Sequence, residues 1–170
     1  VNAKGQGVLL QAAKTLIDRG VNFTLLIVGD GPDRIDLEKF AMTHQLTQHV
    51  NFMGKVNHDQ IQPLQQKADV FVLPSFAEGI PIVLMEAMAC GTPCVTTHIT
   101  GIPELFTHDH DGLLVRPGNA NMLADVLERL ITQTDTRDRL KVAALDTVRD
   151  KWCIHQSNQR LAKLFIQRLS

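Results

Sequence analysis

Hydrophobic residues change their spacing along the chain, and the changes mark the elements. Over residues 5–19, Val8, Leu9, Ala12, Ala13, Leu16 and Ile17 recur at intervals of three and four, the spacing of a helix with one buried face. Gly20 ends it. Residues 23–28 (FTLLIV) form a short apolar run rich in strand formers, which predicts a strand covered on both faces. Gly29-Asp30-Gly31-Pro32 is a turn, and Pro32 suits the first turn of a helix predicted over about 33–45. A second strand is predicted at 50–53, closed by Gly54, and Asn57 or His58 opens a short helix that runs to about Lys67. Residues 69–73 (DVFVL) read as a third strand, 82–89 as a helix, and 94–97 and 112–115 as two more short strands, the last ended by Pro117-Gly118. From about residue 120 the pattern is helical. Met122, Leu123, Val126, Leu127, Leu130 and Ile131 mark one stripe, residues 135–150 form a second segment, and Leu161, Leu164, Phe165 and Leu169 mark a third.

Short strands alternating with helices predict the α/β class, a Rossmann-like parallel sheet with helices on both faces and a helical C-terminus. No internal repeat, low-complexity segment or flexible linker interrupts the pattern, so residues 1–170 are expected to form a single domain. In such sheets, ligands bind beyond the carboxyl ends of the strands. The loops at 29–32, 53–57, 74–81 and 97–103 are therefore the candidates. Val1-Asn2-Ala3-Lys4-Gly5 has no initiator methionine and runs straight into a helix, so the start reads as a cut.

Composition narrows the class. Hydrophobic residues make up 44% and charged residues 21%, ordinary values for a globular domain, and the formal net charge of -1 gives no overall field to attract nucleic acid or anionic membrane. No apolar run approaches the roughly 18 residues of a membrane span, and no secretory leader pattern opens the given residues. Three cysteines, Cys90, Cys94 and Cys153, are too few and too uneven for a disulfide framework and suit a reducing, cytoplasmic compartment. Cys90 and Cys94 lie in an apolar stretch without further metal ligands and read as buried thiols. His108-Asp109-His110-Asp111 has ligand-type residues, but its place before a short strand suits a solvated turn, and no metal is expected there. Arg137, Arg139, Lys141, Arg149 and Lys151 alternate with Asp135, Asp138, Asp146 and Asp150, the pattern of a solvated, salt-bridged face.

The richest chemistry lies between Pro74 and Pro93. A strand ends at Leu73, a loop carries Glu78 and Gly79, and a helix starts near Pro81. The first N–H groups of that helix have no partner inside it and point toward the strand ends. With the helix dipole they form an anion site suited to a diphosphate. Gly79 has no side chain to obstruct a ligand. Glu86 falls three residues after Val83 and four before Cys90, on the core-facing side of the helix, where a carboxylate needs a partner such as paired ribose hydroxyls. Taken singly, Glu78 reads as a solvated loop carboxylate and Glu86 as a helix residue paired with a nearby cation.

The whole segment, Pro74-Ser75, Glu78-Gly79, Glu86-Ala87-Met88-Ala89 and Gly91-Thr92-Pro93, resembles the signature of the group 1 (family 4) glycosyltransferases, whose two glutamates are separated by seven residues. Val28-Gly29-Asp30-Gly31-Pro32, Phe52-Met53-Gly54, Ala68-Asp69-Val70, Gly101-Ile102-Pro103-Glu104 and Gly112-Leu113-Leu114-Val115 follow in the family's order, so the resemblance runs from about residue 4 to about 131. Pro81 departs from it: many members have glycine there, and proline removes one backbone donor to the sugar.

The resemblance implies one half of the two-domain GT-B fold, the C-terminal, donor-binding half of a retaining hexosyl transferase that uses a nucleoside-diphosphate sugar without metal or other cofactor. It implies that Lys4 holds phosphate and stabilises the leaving diphosphate, that Glu78 contacts a hydroxyl of the donor sugar, and that Glu86 holds the ribose. Gly79, Ile80, Ile82 and Val83 would approach sugar and diphosphate through their backbones. Gly31 would join the donor site, and Gly54 and Val56, in the loop at 53–57, would contact the base. It further implies that the first strand of this domain, a central one, and the family's upstream arginine precede Val1. The acceptor would sit mainly on an N-terminal half, which allows peripheral association with the inner face of a membrane. An isolated half would be inactive. The competing reading is a sugar-nucleotide-binding module without transfer activity. A GT-B sugar-nucleotide epimerase fits the two-glutamate segment less well.

Overall fold

The structure is a computed structural model that describes residues 4–79 and 81–152. Helix α1 (Gln6–Asp18) opens it, followed by strand β1 (Leu25–Val28), α2 (Arg34–Thr43), β2 (Val50–Gly54), α3 (His58–Lys67) and β3 (Phe71–Leu73). Then come α4 (Ile82–Ala89), β4 (Cys94–Thr97), a short α5 (Ile102–Leu105), β5 (Leu113–Val115), α6 (Ala120–Thr132), α7 (Thr134–Thr147) and a π turn at Val148–Trp152. The alternation expected from the sequence is present. The exception is α5, one turn within a segment the pattern reads as loop.

All strand pairs are parallel. β1 pairs with β2 from Leu25 opposite Val50 to Val28 opposite Gly54, with an irregularity after Ile27. β3, β4 and β5 lie side by side in that order. Among the described residues no ladder joins β1 to β3. The two sheets nevertheless share one core: Leu25 of β1 and Val72 of β3 pack against the cluster formed by Leu9, Ala12, Leu16, Val95, Leu113, Leu123 and Leu127. β5 shows why its run is continuously apolar. Leu113 and Val115 enter that cluster, whereas Leu114 enters a second one with Leu84, Met88, Ile102 and Leu105 on the opposite face.

Three local expectations change. Helix α1 is buried on two sides: Leu10, which lies off the predicted stripe, fills a third cluster with Ala41, Leu46 and Val50, because α1 packs against both α2 and α6. The β1–β2 pair is not covered on both faces, since Leu26, Val28 and Met53 are exposed. The turn at 108–111 is only partly solvated. Asp111 is buried, with Oδ1 accepting from the Thr107 N–H (2.7 Å) and Oδ2 from Thr147 Oγ1 (2.7 Å). Asp109 takes φ 59°; desolvation pushes its carboxyl up, but its bonds and ion pairs with Arg139 and Arg129 together outweigh that and hold it below the ordinary range.

The basic residues of α7 divide in the same way. Arg149 pairs with Asp146 and Asp150 on the surface as expected. Arg137 instead donates to the carbonyls of Leu130 and Ile131 at the end of α6, and so caps that helix. Cys94 is fully buried and its thiol is pushed far up by desolvation, whereas Cys90 is only half-buried. Cys153 and the predicted stripe of Leu161, Leu164, Phe165 and Leu169 lie outside the described residues. Among the described residues no helix is long and apolar enough to cross a membrane.

Candidate functional site

The site grows from the end of β3. Thr96 and Thr97, the last two residues of β4, turn their hydroxyls to the neighbouring strand. Thr96 Oγ1 donates to the Leu73 carbonyl (2.8 Å) and Thr97 Oγ1 to the Ser75 carbonyl (2.6 Å). The chain therefore leaves the sheet along a fixed path. Between these two clamps, the Pro74 carbonyl lies against Gly5: a Cβ at Gly5 would stand 1.9 Å from that oxygen, and Gly5 has φ 72°. Only glycine meets both conditions, and it lets the start of α1 rest on the loop.

That contact brings Lys4 to Glu78. Lys4 Nζ donates to Glu78 Oε1 at 2.7 Å, and Ser75 Oγ donates to the same oxygen at 2.8 Å. The glutamate side chain is 11% exposed and the lysine 56%. A pair so open on its cationic side contributes about 1 kcal/mol or less, so a stronger anion can draw Lys4 away.

Helix α4 begins beside them. Pro81 is its N-cap, Leu84 N–H bonds the Pro81 carbonyl, and neither a capping side chain nor a first-turn acid occupies the N–H groups of Ile82 and Val83. The start of α1 is likewise without a side-chain cap or acid. Remote from the loop, α6 is closed by Asn119, whose Oδ1 accepts from Met122 N–H. α2, α5 and α7 also lack a capping side chain but carry an acid in the first turn (Asp36, Glu104 and Asp135), so among the described residues the helix starts with neither cap nor acid are the two that flank Glu78. Gly79 faces open space. Ile80, named by the resemblance, lies outside the described residues.

Glu86 departs from its expected setting. It is 34% exposed, and the imidazole of His58 lies near it, with Nε2 at 3.9 Å. The sequence pattern reads it as core-facing because its helix is apolar almost throughout, but here the carboxylate emerges at the edge of the α3–α4 contact. Buried Gln65 makes that contact: its Nε2 donates to the Val83 carbonyl (3.2 Å), and its own carbonyl accepts from Thr92 Oγ1 (2.6 Å). Ser75, Gln65, Thr96 and Thr97 were not legible as site residues. Gln65, Thr96 and Thr97 act by bonding carbonyls distant in sequence, whereas Ser75 bonds a carboxylate three positions on; the hydroxyls closing an apolar strand at Thr96-Thr97 were a visible signal.

Gly31, Gly54 and Val56 form a separate group at the ends of β1 and β2. Gly29 N–H donates to the Gly54 carbonyl (2.8 Å) and ties the two loops. Gly54 has φ 67°, and a Cβ there would stand 2.8 Å from Arg34 Nη1. Arg34 is held over it by Glu38 at 2.7 Å, and this hydrogen bond raises the guanidinium's pKa. Gly31 faces open space and Val56 is half-buried. Two surface cavities, about 650 Å³ beside α7 and about 760 Å³ between α1 and the start of α6, contain none of Lys4, Glu78 and Glu86. Of the aspartates that line the first, Asp111 is bonded to Thr107 and Thr147, and Asp146 and Asp150 to Arg149; the chemistry argued above lies outside both cavities.

The sequence pattern of the family described as Glycosyl transferases group 1 matches residues 1–146, a span that includes both sheets, Lys4 and the Glu78–Glu86 segment. The chain belongs to this family. It is 34% identical to the amylovoran biosynthesis glycosyltransferase AmsK of Erwinia amylovora, over 98% of this chain and 42% of that protein. Among solved structures, Alr3699/HepE of Anabaena in complex with UDP superposes with a TM-score of 0.87 at 26% identity, covering 98% of this chain and 46% of that one. The C-terminal domain of the group 1 glycosyl transferase LpcC from Francisella tularensis has the same fold, with a TM-score of 0.80 at 23% identity over 91% of this chain and 82% of that domain. The chain thus spans less than half the length of the whole proteins, and its fold is that of a C-terminal GT-B half.

Proposed function

We propose that the protein is the donor-binding half of a retaining glycosyltransferase that takes a hexosyl group from a nucleoside-diphosphate sugar without metal. One observation carries the reading: an exposed lysine and two helix starts with neither a capping side chain nor a first-turn acid surround the Glu78 carboxylate. Phosphate oxygens would accept from the N–H groups of Ile82 and Val83 and draw Lys4 from Glu78, exchanging an exposed ion pair for a doubly charged partner. Glu78, released on that side, would accept a hydroxyl of the sugar. Glu86 keeps its carboxylate open for the ribose diol, and the loop with Gly54 and Val56 would meet the base. In the transfer step the bond from the anomeric carbon to the diphosphate oxygen breaks, a bond to an acceptor hydroxyl oxygen forms on the same face, that hydroxyl's proton passes to the departing diphosphate, and Lys4 stabilises the charge on it. The acceptor would be held mainly by the other half. The Anabaena structures with UDP and with UDP-glucose support a nucleotide sugar as the ligand class.

Calorimetry of the full-length protein with UDP, GDP and ADP in the presence of a chelator tests the reading. Binding of at least one of them is expected. No heat with any of the three would overturn it.

A further inference from the structure

We propose that Ser75 is a positioning residue that sets the Glu78 carboxylate for the donor sugar and holds it there after Lys4 has moved to the diphosphate. This rests on the reading of Glu78 as the sugar-contacting carboxylate. Both donors on Glu78, Lys4 Nζ and Ser75 Oγ, use the same oxygen, Oε1. Among the described residues none donates to Oε2, so this is the oxygen left for a sugar hydroxyl.

The two donors differ in how firmly they are held. Lys4 is mostly exposed and ends a long side chain with many rotamers. Ser75 is fully buried. Its carbonyl is clamped by Thr97, the Leu73 carbonyl by Thr96, and the intervening Pro74 carbonyl is packed on Gly5. The backbone from Leu73 to Ser75 therefore has three independent restraints, and the serine hydroxyl has a fixed origin from which to reach Oε1. When the diphosphate takes Lys4, a carboxylate held by that lysine alone would lose its orientation or follow the ammonium. With Ser75 in place, Oε1 keeps one partner and Oε2 stays in position. The serine would thus uncouple the sugar contact from the phosphate contact made by the same lysine.

The test uses Ser75→Ala and Ser75→Cys in the full-length enzyme. Cysteine nearly keeps the volume but gives only a weak donor, so it separates the hydrogen bond from packing and remains informative where alanine does not fold. With a donor chosen from UDP-, GDP- and ADP-hexoses by release of nucleoside diphosphate, kcat is expected to fall roughly tenfold to a hundredfold in both variants, the range for a lost hydrogen bond to a charged group. Donor KM and nucleoside-diphosphate affinity should stay within about twofold, because the phosphate contacts do not involve Ser75. Glu78→Gln should lower kcat to a similar extent, and adding Ser75→Cys to it should cause no further loss. Crystal structures of the wild type and of Ser75→Cys, both with bound nucleoside diphosphate, should show residues 73–77 superimposed and the carboxylate turned away only in the variant. If Glu78→Gln leaves turnover intact, the reading of Glu78 itself falls. If Glu78→Gln impairs turnover while Ser75→Cys behaves as wild type, if the two losses add, or if the carboxylate stays in place in Ser75→Cys, the proposal for Ser75 is overturned and Glu78 keeps its role.

Discussion

Glu78 and Glu86 belong to one continuous segment, yet their surroundings assign them different work. Glu78 is nearly enclosed and already accepts two hydrogen bonds on one oxygen. Glu86 stands a third exposed at the α3–α4 edge, with an imidazole near it but no cation in tight contact. A carboxylate with open lone pairs on an apolar helix is suited to a diol, whose two hydroxyls can satisfy both oxygens. Glu86→Gln in the full-length protein is therefore expected to weaken nucleoside-diphosphate binding by about 1–2 kcal/mol, the lower part of the range for a hydrogen bond to a charged group. Binding of inorganic pyrophosphate, which has no ribose, should be unchanged. Calorimetry with both ligands decides it: equal loss for the two would make Glu86 a folding residue. At this scale the sequence singled out Glu78 and Glu86 through their spacing and neighbours, and the structure brings Lys4 against Glu78. It misjudged the burial of Glu86 because helical periodicity reports which face is apolar, not where the neighbouring helix ends. The same limit applies to Asp111, whose partners Thr107 and Thr147 include one from a helix well over thirty positions away.

Elements, rather than side chains, bring the lysine to the glutamate. The start of α1 reaches the loop after β3 only because Gly5 takes a left-handed φ and lets the Pro74 carbonyl approach its Cα. Gly5→Ala would meet two penalties at once: the unfavourable φ, of order 1–3 kcal/mol for a non-glycine residue, and a backbone contact that no rotamer relieves. The expected outcome is a lowered thermal midpoint together with a larger loss of diphosphate binding than global stability explains, because Lys4 and the start of α1 must shift together. A variant with wild-type midpoint and affinity would show that α1 does not depend on this contact. Periodicity alone located nearly all of these elements, since each buries a face whose repeat, near 3.6 or 2, is written in the residues themselves. Packing that one element receives from two neighbours was not legible. Leu10 is buried because α2 and α6 flank α1, and Leu26 and Val28 are exposed because one face of the β1–β2 pair has no cover among the described residues.

For the molecule as a whole, no ladder among the described residues joins the β1–β2 pair to β3–β4–β5, and the two sheets are united instead by the shared core at Leu25 and Val72. On the proposed function, the surface around Lys4, Glu78 and Glu86 would be one wall of a cleft. Sugar transfer needs the acceptor oxygen held close to the anomeric carbon and water excluded while the bond to diphosphate breaks, and holding the two reactants together supplies a large part of the rate. One wall can bind the donor but cannot place the acceptor. A polypeptide of this half is therefore expected to bind the nucleoside diphosphate found by calorimetry while catalysing no measurable transfer from the matching sugar nucleotide. The full-length enzyme should catalyse that transfer under the same conditions. Product formation is followed by release of nucleoside diphosphate and by labelled sugar on the acceptor. Transfer by the isolated half at a rate near that of the full-length enzyme would mean that the acceptor site is built on this half, and the assignment of the cleft would have to be reversed.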